Sequence, residues 1–116
     1  MSKEYADIEV SITRWIDDDP QPGIVEFEFN DRFGRRWQFH EKQARVSLEW
    51  LDANSAYPRP GDVRCLVLSR SQDEEGRLIA EIDTFQGDSV ESLEEVRRFE
   101  VFASQLLPKS PSNHSG

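Results

Sequence analysis

The segment spanning residues 24–41 constrains the fold most, because its pattern predicts a β-hairpin together with its register. Apolar and polar residues alternate on both sides of a short break, which is typical of strands with one buried and one exposed face. Pairing Phe29 with Trp37 leaves residues 32–34 to close the loop, and Gly34 supplies the left-handed residue that such a loop needs. The predicted buried face carries Val25, Phe27, Phe29, Trp37 and Phe39, and the exposed face carries Glu26, Glu28, Gln38 and His40.

The charge balance limits the partners that the chain can have. Its 116 residues include 23 acidic and 14 basic side chains, for a formal net charge of −9. This charge argues against nucleic acid or an anionic membrane as the main partner. No apolar run approaches the ~18 residues of a membrane span, and the N-terminus lacks the basic-then-apolar order of a secretory signal. Because the single cysteine, Cys65, cannot form an internal disulfide, we expect a protein of the reducing cytoplasm.

Further strands are predicted outside the hairpin. Alternation predicts a first strand over about residues 7–16, another over residues 78–82, and a last one over residues 99–101. Residues 63–68 are apolar on both faces, which is typical of a central strand covered on both sides. A glycine late in residues 72–76 predicts a turn there. The face expected to be buried in the strand at 78–82 carries Leu78, Ala80 and Ile82.

Residues 43–51 fit two patterns. One apolar set has the period of a strand and another has the spacing of a helical face. We favour a strand and keep a short helical turn as the alternative. Residues 52–62 then predict a long loop whose exit is stiffened by two prolines and a glycine. The strand set is Val46, Leu48 and Trp50, and the helical set is Ala44, Leu48 and Leu51.

The C-terminal third adds one short element and a tail. Asp88 and Glu91 have the spacing of a capping box, which predicts a short helix or turn after Gly87. Residues 108–116 are polar and rich in serine and proline, so we expect a disordered tail. The predicted organisation is a single β-rich domain over residues 1–107.

About six short strands joined mainly by hairpins predict a mainly β fold. We expect a small antiparallel barrel or a strongly bent sheet, SH3-like or OB-like, with at most one short helix. Closure into a barrel is favoured because it removes exposed strand edges. The alternatives are a β-sandwich and an α+β roll.

The residues offer little catalytic chemistry. His40 is predicted opposite Glu26, and such a pair can act as an acid–base couple; without a nucleophile or metal ligand beside it, a polar surface pair is favoured. Cys65 lies in an apolar strand, where burial is the default for a thiol. The acidic run at residues 17–19 lacks the alternating spacing of a calcium loop. We expect no enzyme activity, metal or cofactor.

The surface carries the remaining functional signal. If the acidic groups converge on one face, they attract a basic partner protein over long range; if they are spread evenly, they only keep the protein soluble. Aromatic side chains in loops can anchor a partner. The candidate partner-binding residues are Asp17, Asp18, Asp19, Glu26, Glu28, Phe33, Arg35, Arg36, Tyr57, Asp73, Glu74 and Glu75.

The sequence is therefore compatible with two binding functions. The favoured one is a non-enzymatic protein-binding module. The alternative is a barrel that binds a small ligand or single-stranded nucleic acid, using the arginines and Phe33 at the hairpin tip, residues 32–36.

Several short segments resemble a family of small acidic bacterial β-proteins to which no activity is assigned. The resemblance extends over roughly residues 24–107, and the chain departs from the family pattern at residues 87–95, where its charge is higher. It implies no catalytic residues; because short acidic bacterial proteins often include toxin-neutralising immunity proteins, it implies an immunity-like inhibitor that covers a basic site on a partner. The segments are Gly34-Arg35-Arg36-Trp37, Leu51-Asp52-Ala53-Asn54-Ser55-Ala56-Tyr57-Pro58-Arg59-Pro60-Gly61, Cys65, Asp73-Glu74-Glu75-Gly76 and Ile82-Asp83-Thr84.

Overall fold

Antiparallel pairing joins the strands of the protein into one mainly β sheet, as predicted. The computed structural model describes residues 2–18 and 23–107. The sheet order is β3-β2-β1-β4-β5-β6, and β7 pairs with β1. The strands are β1 (Glu4–Asp17), β2 (Ile24–Asn30), β3 (Arg36–Lys42), β4 (Arg59–Gln72), β5 (Leu78–Asp83), β6 (Arg98–Phe102) and β7 (Leu106–Leu107), with one helix, α1 (Thr84–Asp88), and 3₁₀ turns at Gln43–Arg45 and Ala103–Gln105. Asp19 and the predicted tail, residues 108–116, lie outside the described residues.

The hairpin of β2 and β3 has the predicted register. Phe29 lies opposite Trp37, and Gly34 has a φ of 84°. The side chain of Asp31 supports the loop, since its Oδ1 accepts hydrogen bonds from the backbone N–H groups of Phe33 at 2.9 Å and Arg35 at 3.0 Å. The loop geometry is therefore stabilised from within the loop itself.

β1 changes partner along its length, and this change curls the sheet. Residues 4–12 pair with β4 and residues 11–17 pair with β2. The register between β1 and β2 shifts between Ile12 and Arg14, and again between Trp15 and Asp17. Such bulges increase the local twist of a strand. The result is one strongly curled, half-barrel sheet.

The curl brings the two ends of the sheet together around aromatic rings. Phe27 and Phe39 stack with centroids 4.9 Å apart and are both fully buried. Phe99 of β6 meets Phe29 at 5.1 Å and Trp37 at 5.2 Å, in edge-to-face contacts. Within the described residues β3 and β6 share no strand ladder, so side-chain packing joins the two ends together with a backbone hydrogen bond from Arg32 N–H to the carbonyl of Glu100 at 2.8 Å. We call these five rings the aromatic cluster.

The strand favoured for residues 43–51 is wrong, and the alternative of a short helical turn is confirmed. The N–H of Gln43 donates to Gly23 O at the end of the hairpin ladder, and the next N–H groups, from Val46 and Ser47, turn back to the carbonyl of Gln43. A 3₁₀ turn therefore replaces further sheet pairing. Val46 and Leu51 are buried at either end of the segment, while Leu48 and Trp50 are exposed.

The start of β4 also differs from the prediction. β4 begins at Arg59, inside the expected loop, and Pro60 pairs opposite Ser11 near the start of the strand, where a residue without an N–H is tolerated. Gly61 fits because a Cβ would lie 2.5 Å from the carbonyl oxygen of Val46. The backbone at Gly61 is therefore extended as part of β4 and lies in close contact with the backbone of Val46.

The short helix ends at Asp88 instead of beginning there, so the predicted capping box is wrong. The alternative of a turn after Gly87 is confirmed, since the N–H of Glu95 donates to the carbonyl of Ser92 at 2.8 Å. Asp83 caps α1, since its Oδ1 accepts a hydrogen bond from Gln86 N at 2.9 Å. A Cβ at Gly87 would lie 2.3 Å from the carbonyl oxygen of Arg64. α1 therefore packs directly on the edge of β4.

Truncating one ring of the aromatic cluster tests this account of the fold. Phe39→Ala should lower the free energy of unfolding by about 3–5 kcal/mol, because a fully buried ring leaves a cavity. Phe33→Ala removes the same atoms from a side chain that is 67% exposed, and should cost less than about 1 kcal/mol. Urea unfolding of both variants makes the comparison; equal losses would contradict the account.

Candidate functional site

An open groove of about 980 Å³ lies beside the hairpin tip. Segments that are distant in the chain form its walls: β1, the hairpin, the start of β4, the start of β5 and the end of β6. We call it the tip groove. The side chains that matter below are Glu9, Glu28, Phe33, Arg59, Arg77 and Phe102.

The phenyl rings of Phe33 and Phe102 give the tip groove apolar surface. Phe33 is largely exposed, and the guanidinium carbon of Arg32 lies 4.1 Å from the centre of its ring. Phe102 is partly buried, and the guanidinium of Arg77 lies 5.0 Å from its ring centre. Cation–π contacts of this kind restrict both partners.

The arginines of the tip groove are neutralised by carboxylates. Arg32 pairs with Glu100 at 2.8 Å, and Arg59 forms an ion pair with Glu49. Arg77 contacts Asp73 at 2.7 Å and Glu75 at 3.5 Å. The groove therefore offers no uncompensated guanidinium.

The same pairing extends over the whole protein. Each of the eleven arginines lies within 4.0 Å of a carboxylate oxygen. Some carboxylates have neither an ion pair nor a hydrogen bond within the described part of the chain. These carboxylates are Glu9, Asp62, Glu74, Glu81 and Glu95.

The structure brings two groups of the predicted site residues together. Glu28 and Phe33 line the tip groove. Residues 73–75 line a second hollow, which we call the acidic hollow, and it shares Arg32 and Arg77 with the groove. The hairpin tip and the β4–β5 turn thus form one continuous surface.

The other predicted residues lie elsewhere or serve the fold. Asp18 accepts a hydrogen bond from Trp15 Nε1 at 2.8 Å, and the hydroxyl of Tyr57 donates to the carbonyl of Asp52 at 2.8 Å. Neither Asp17 nor Asp18 lines the groove. Asp19 falls outside the described residues.

The arginines of the predicted basic patch are committed to ion pairs. Arg35 contacts Glu94 at 2.6 Å and lies 4.0 Å from the ring centre of Trp37. Arg36 lies 3.9 Å from Glu28. Both guanidinium groups therefore already have anionic neighbours.

Glu26 is buried, which corrects its expected place on the exposed face. Only 7% of the residue is exposed, because the bulge in β1 lays two side chains over it. Arg14 Nε donates to its Oε1 at 2.7 Å and Thr13 Oγ1 does so at 3.2 Å, while His40 Nε2 lies 3.4 Å from Oε2. The Arg14 hydrogen bond holds the pKa of Glu26 below its ordinary value against the opposing effect of burial, and His40 and Thr13 add to the lowering.

Cys65, the one candidate nucleophile of the sequence analysis, is enclosed in the core. Cys65 is fully buried in β4, and burial raises the pKa of its thiol to about 12. A thiolate at neutral pH is therefore rare there.

In the part of the chain that the structure describes, no three potential ligands come close enough to hold a metal ion. The same residues include no helix with the length and apolarity to cross a bilayer.

Sequence patterns did not identify most residues of the tip groove, Glu9 among them. Arg59, Arg77, Phe102 and Gln105 line it together with the hairpin. Gln105 Nε2 donates to the carbonyl of Asn30 at 2.8 Å across 75 residues of chain. Contacts at such separation leave no local signal, and only the curl of the sheet creates them.

The buried Glu26 should make folding depend on pH. Because its pKa is lowered in the folded state, its ionised form stabilises the protein above its ordinary value of 4.5, and this contribution is lost as the pH falls through the lowered value. Glu26→Gln should thus destabilise the protein at pH 7 and progressively less below pH 4.5. Denaturant unfolding across this pH range measures the difference. Glu95→Gln is the control for an exposed carboxylate, and an equal pH profile for both variants would contradict the assignment.

No family model, curated protein or solved structure matches this chain.

Proposed function

We propose that this protein is a non-enzymatic protein-binding module, most concretely an immunity-like inhibitor that covers a basic site on a partner protein. The observation that carries the proposal is the pairing of all eleven arginines with carboxylates. The positive charge of the arginines is thus used internally. The excess of acidic groups, which gives the net charge of −9, is therefore available to a partner.

This charge arrangement favours a cationic partner. Carboxylates without a cationic neighbour produce a negative potential that raises the rate of encounter with a basic surface. Glu9 and Glu74 are such carboxylates and are exposed. Glu9 lines the tip groove and Glu74 lines the acidic hollow. The two surfaces share Arg77, whose charge is neutralised by Asp73.

The candidate binding face is rigid, which supports binding without a large ordering cost. Asp31 holds the hairpin loop through its backbone contacts. Arg32 fixes the tip to β6, since its N–H donates to the carbonyl of Glu100 at 2.8 Å and its guanidinium pairs with the same residue. The exposed ring of Phe33 is thus presented on a supported loop, as an anchor for a partner requires.

The same contacts favour a protein partner over single-stranded nucleic acid. A phosphate that approached Arg32, Arg35 or Arg36 would compete with a carboxylate at each of them. The surrounding acidic groups would also repel the nucleic-acid backbone.

Affinity purification at controlled ionic strength tests the proposal. The immobilised protein should capture a basic protein from a cell extract at about 50 mM salt. With that partner purified, the Kd should rise about tenfold or more by about 300 mM salt, since screening weakens long-range attraction.

An unrelated acidic protein of similar size and net charge, immobilised at the same density, is the control for unspecific adsorption. A partner captured equally by the control, or an affinity that salt does not change, would refute the proposal.

A further inference from the structure

We infer, on the basis of the proposed function, that the tip groove is the binding face. Its occupant is an extended segment of a partner protein in which basic side chains flank an apolar one. The groove is open to solvent and shares Arg77 with two neighbouring hollows, the acidic hollow and a third one at the end of β6. Adjoining open depressions suit an extended chain, whose side chains point alternately to either side.

The apolar side chain has a defined place in the groove. Phe33 and Phe102 both line the groove, and Phe102 also lines the third hollow together with Leu78, Ala103 and Ser104. Leu78 was expected in the core, but it is 61% exposed while its neighbour Ile79 is buried. An exposed leucine and an exposed phenyl ring beside one groove provide apolar surface that a partner can cover.

The flanking basic side chains have carboxylates to meet. Glu9 lines the tip groove and Glu74 lines the acidic hollow, and neither has an ion-pair partner within the described residues. Glu28 adds a carboxylate whose only cationic neighbour there, Arg36, is 3.9 Å away. An incoming Lys or Arg therefore gains a partner without breaking one.

The arginines of the groove do not oppose such a ligand. Arg59 and Arg77 are paired with Glu49 and Asp73, and Arg77 is also held over the ring of Phe102. Their charge is compensated and their positions are restrained. The groove therefore selects for a cationic segment, and the apolar contacts at Phe33 supply much of the affinity.

Fluorescence anisotropy with labelled synthetic peptides tests the inference on the intact protein. The probe GKLKGKLKG carries lysines flanking leucines, GKSKGKSKG keeps the charge without the apolar side chains, and GELEGELEG reverses the charge. GKLKGKLKG should bind at about 50 mM salt, GKSKGKSKG should bind about tenfold more weakly, and GELEGELEG should not bind.

Variants locate the site. Phe33→Ala should weaken GKLKGKLKG binding about tenfold, and the double variant Glu9→Gln/Glu74→Gln should weaken it and reduce its dependence on salt. Phe85→Ala removes a phenyl ring and Glu95→Gln removes one unpaired carboxylate outside the groove and its hollows, and both should leave binding unchanged. Circular dichroism checks that each variant is folded.

The outcomes separate this inference from the proposed function. If the groove variants bind like wild type, or the two control variants lose as much affinity, the groove is not the site; the proposed function then still stands if a basic partner is captured in a salt-dependent way. If wild type shows no preference for GKLKGKLKG over GKSKGKSKG, an extended segment with an apolar side chain is not the ligand. If neither basic peptide nor any basic protein binds, the proposed function fails as well.

Discussion

The contact of Phe99 with the hairpin rings is the interaction on which the rest of the structure depends. Phe99 belongs to one end of the sheet, and Phe29, Trp37 and Phe39 belong to the other. Each aromatic pair contributes roughly 0.5–1.5 kcal/mol beyond the burial of its surface. These contacts hold the curl of the sheet together with the short β7–β1 ladder and the hydrogen bond from Arg32 N–H to the carbonyl of Glu100, because β3 and β6 share no ladder in the described residues. The curl in turn places the hairpin tip against β6, so one set of core contacts supports both the fold and the walls of the tip groove.

Local patterns predicted the parts of the fold that local physics determines. The hairpin register follows from a period of two and one glycine, and Phe29 does lie opposite Trp37. The failures have longer-range causes. Residues 43–51 leave the sheet after the hydrogen bond from Gln43 N–H to Gly23 O, which is the last backbone contact of the hairpin ladder. Glu26 follows the polar alternation of its strand, yet a bulge in β1 covers it with Arg14.

The candidate site could be predicted only in part for the same reason. Phe33, Glu28 and residues 73–75 were identified individually, because exposed aromatic and acidic residues stand out in loops and on strand faces. Their common location depends on Arg77, which borders all three hollows. The neutralisation of the arginines was equally hidden, since Arg32 and Glu100 are 68 residues apart in the chain. Pairing across a curled sheet, and not composition, determines which charges are neutralised, and this pairing is the basis of the proposed preference for a cationic partner.

The proposed binding surface depends on two features of the β scaffold: its arginines are paired internally with carboxylates, and the exposed ring of Phe33 lies at a hairpin tip that is held by hydrogen bonds. NMR titration of the isotope-labelled protein with GKLKGKLKG tests this most directly, since it observes every backbone N–H at once. The largest chemical-shift changes should fall on the N–H groups of Glu9, Phe33 and Glu74 and of their neighbours around the tip groove. Changes spread over the whole surface, or concentrated around Glu95 and α1, would contradict it.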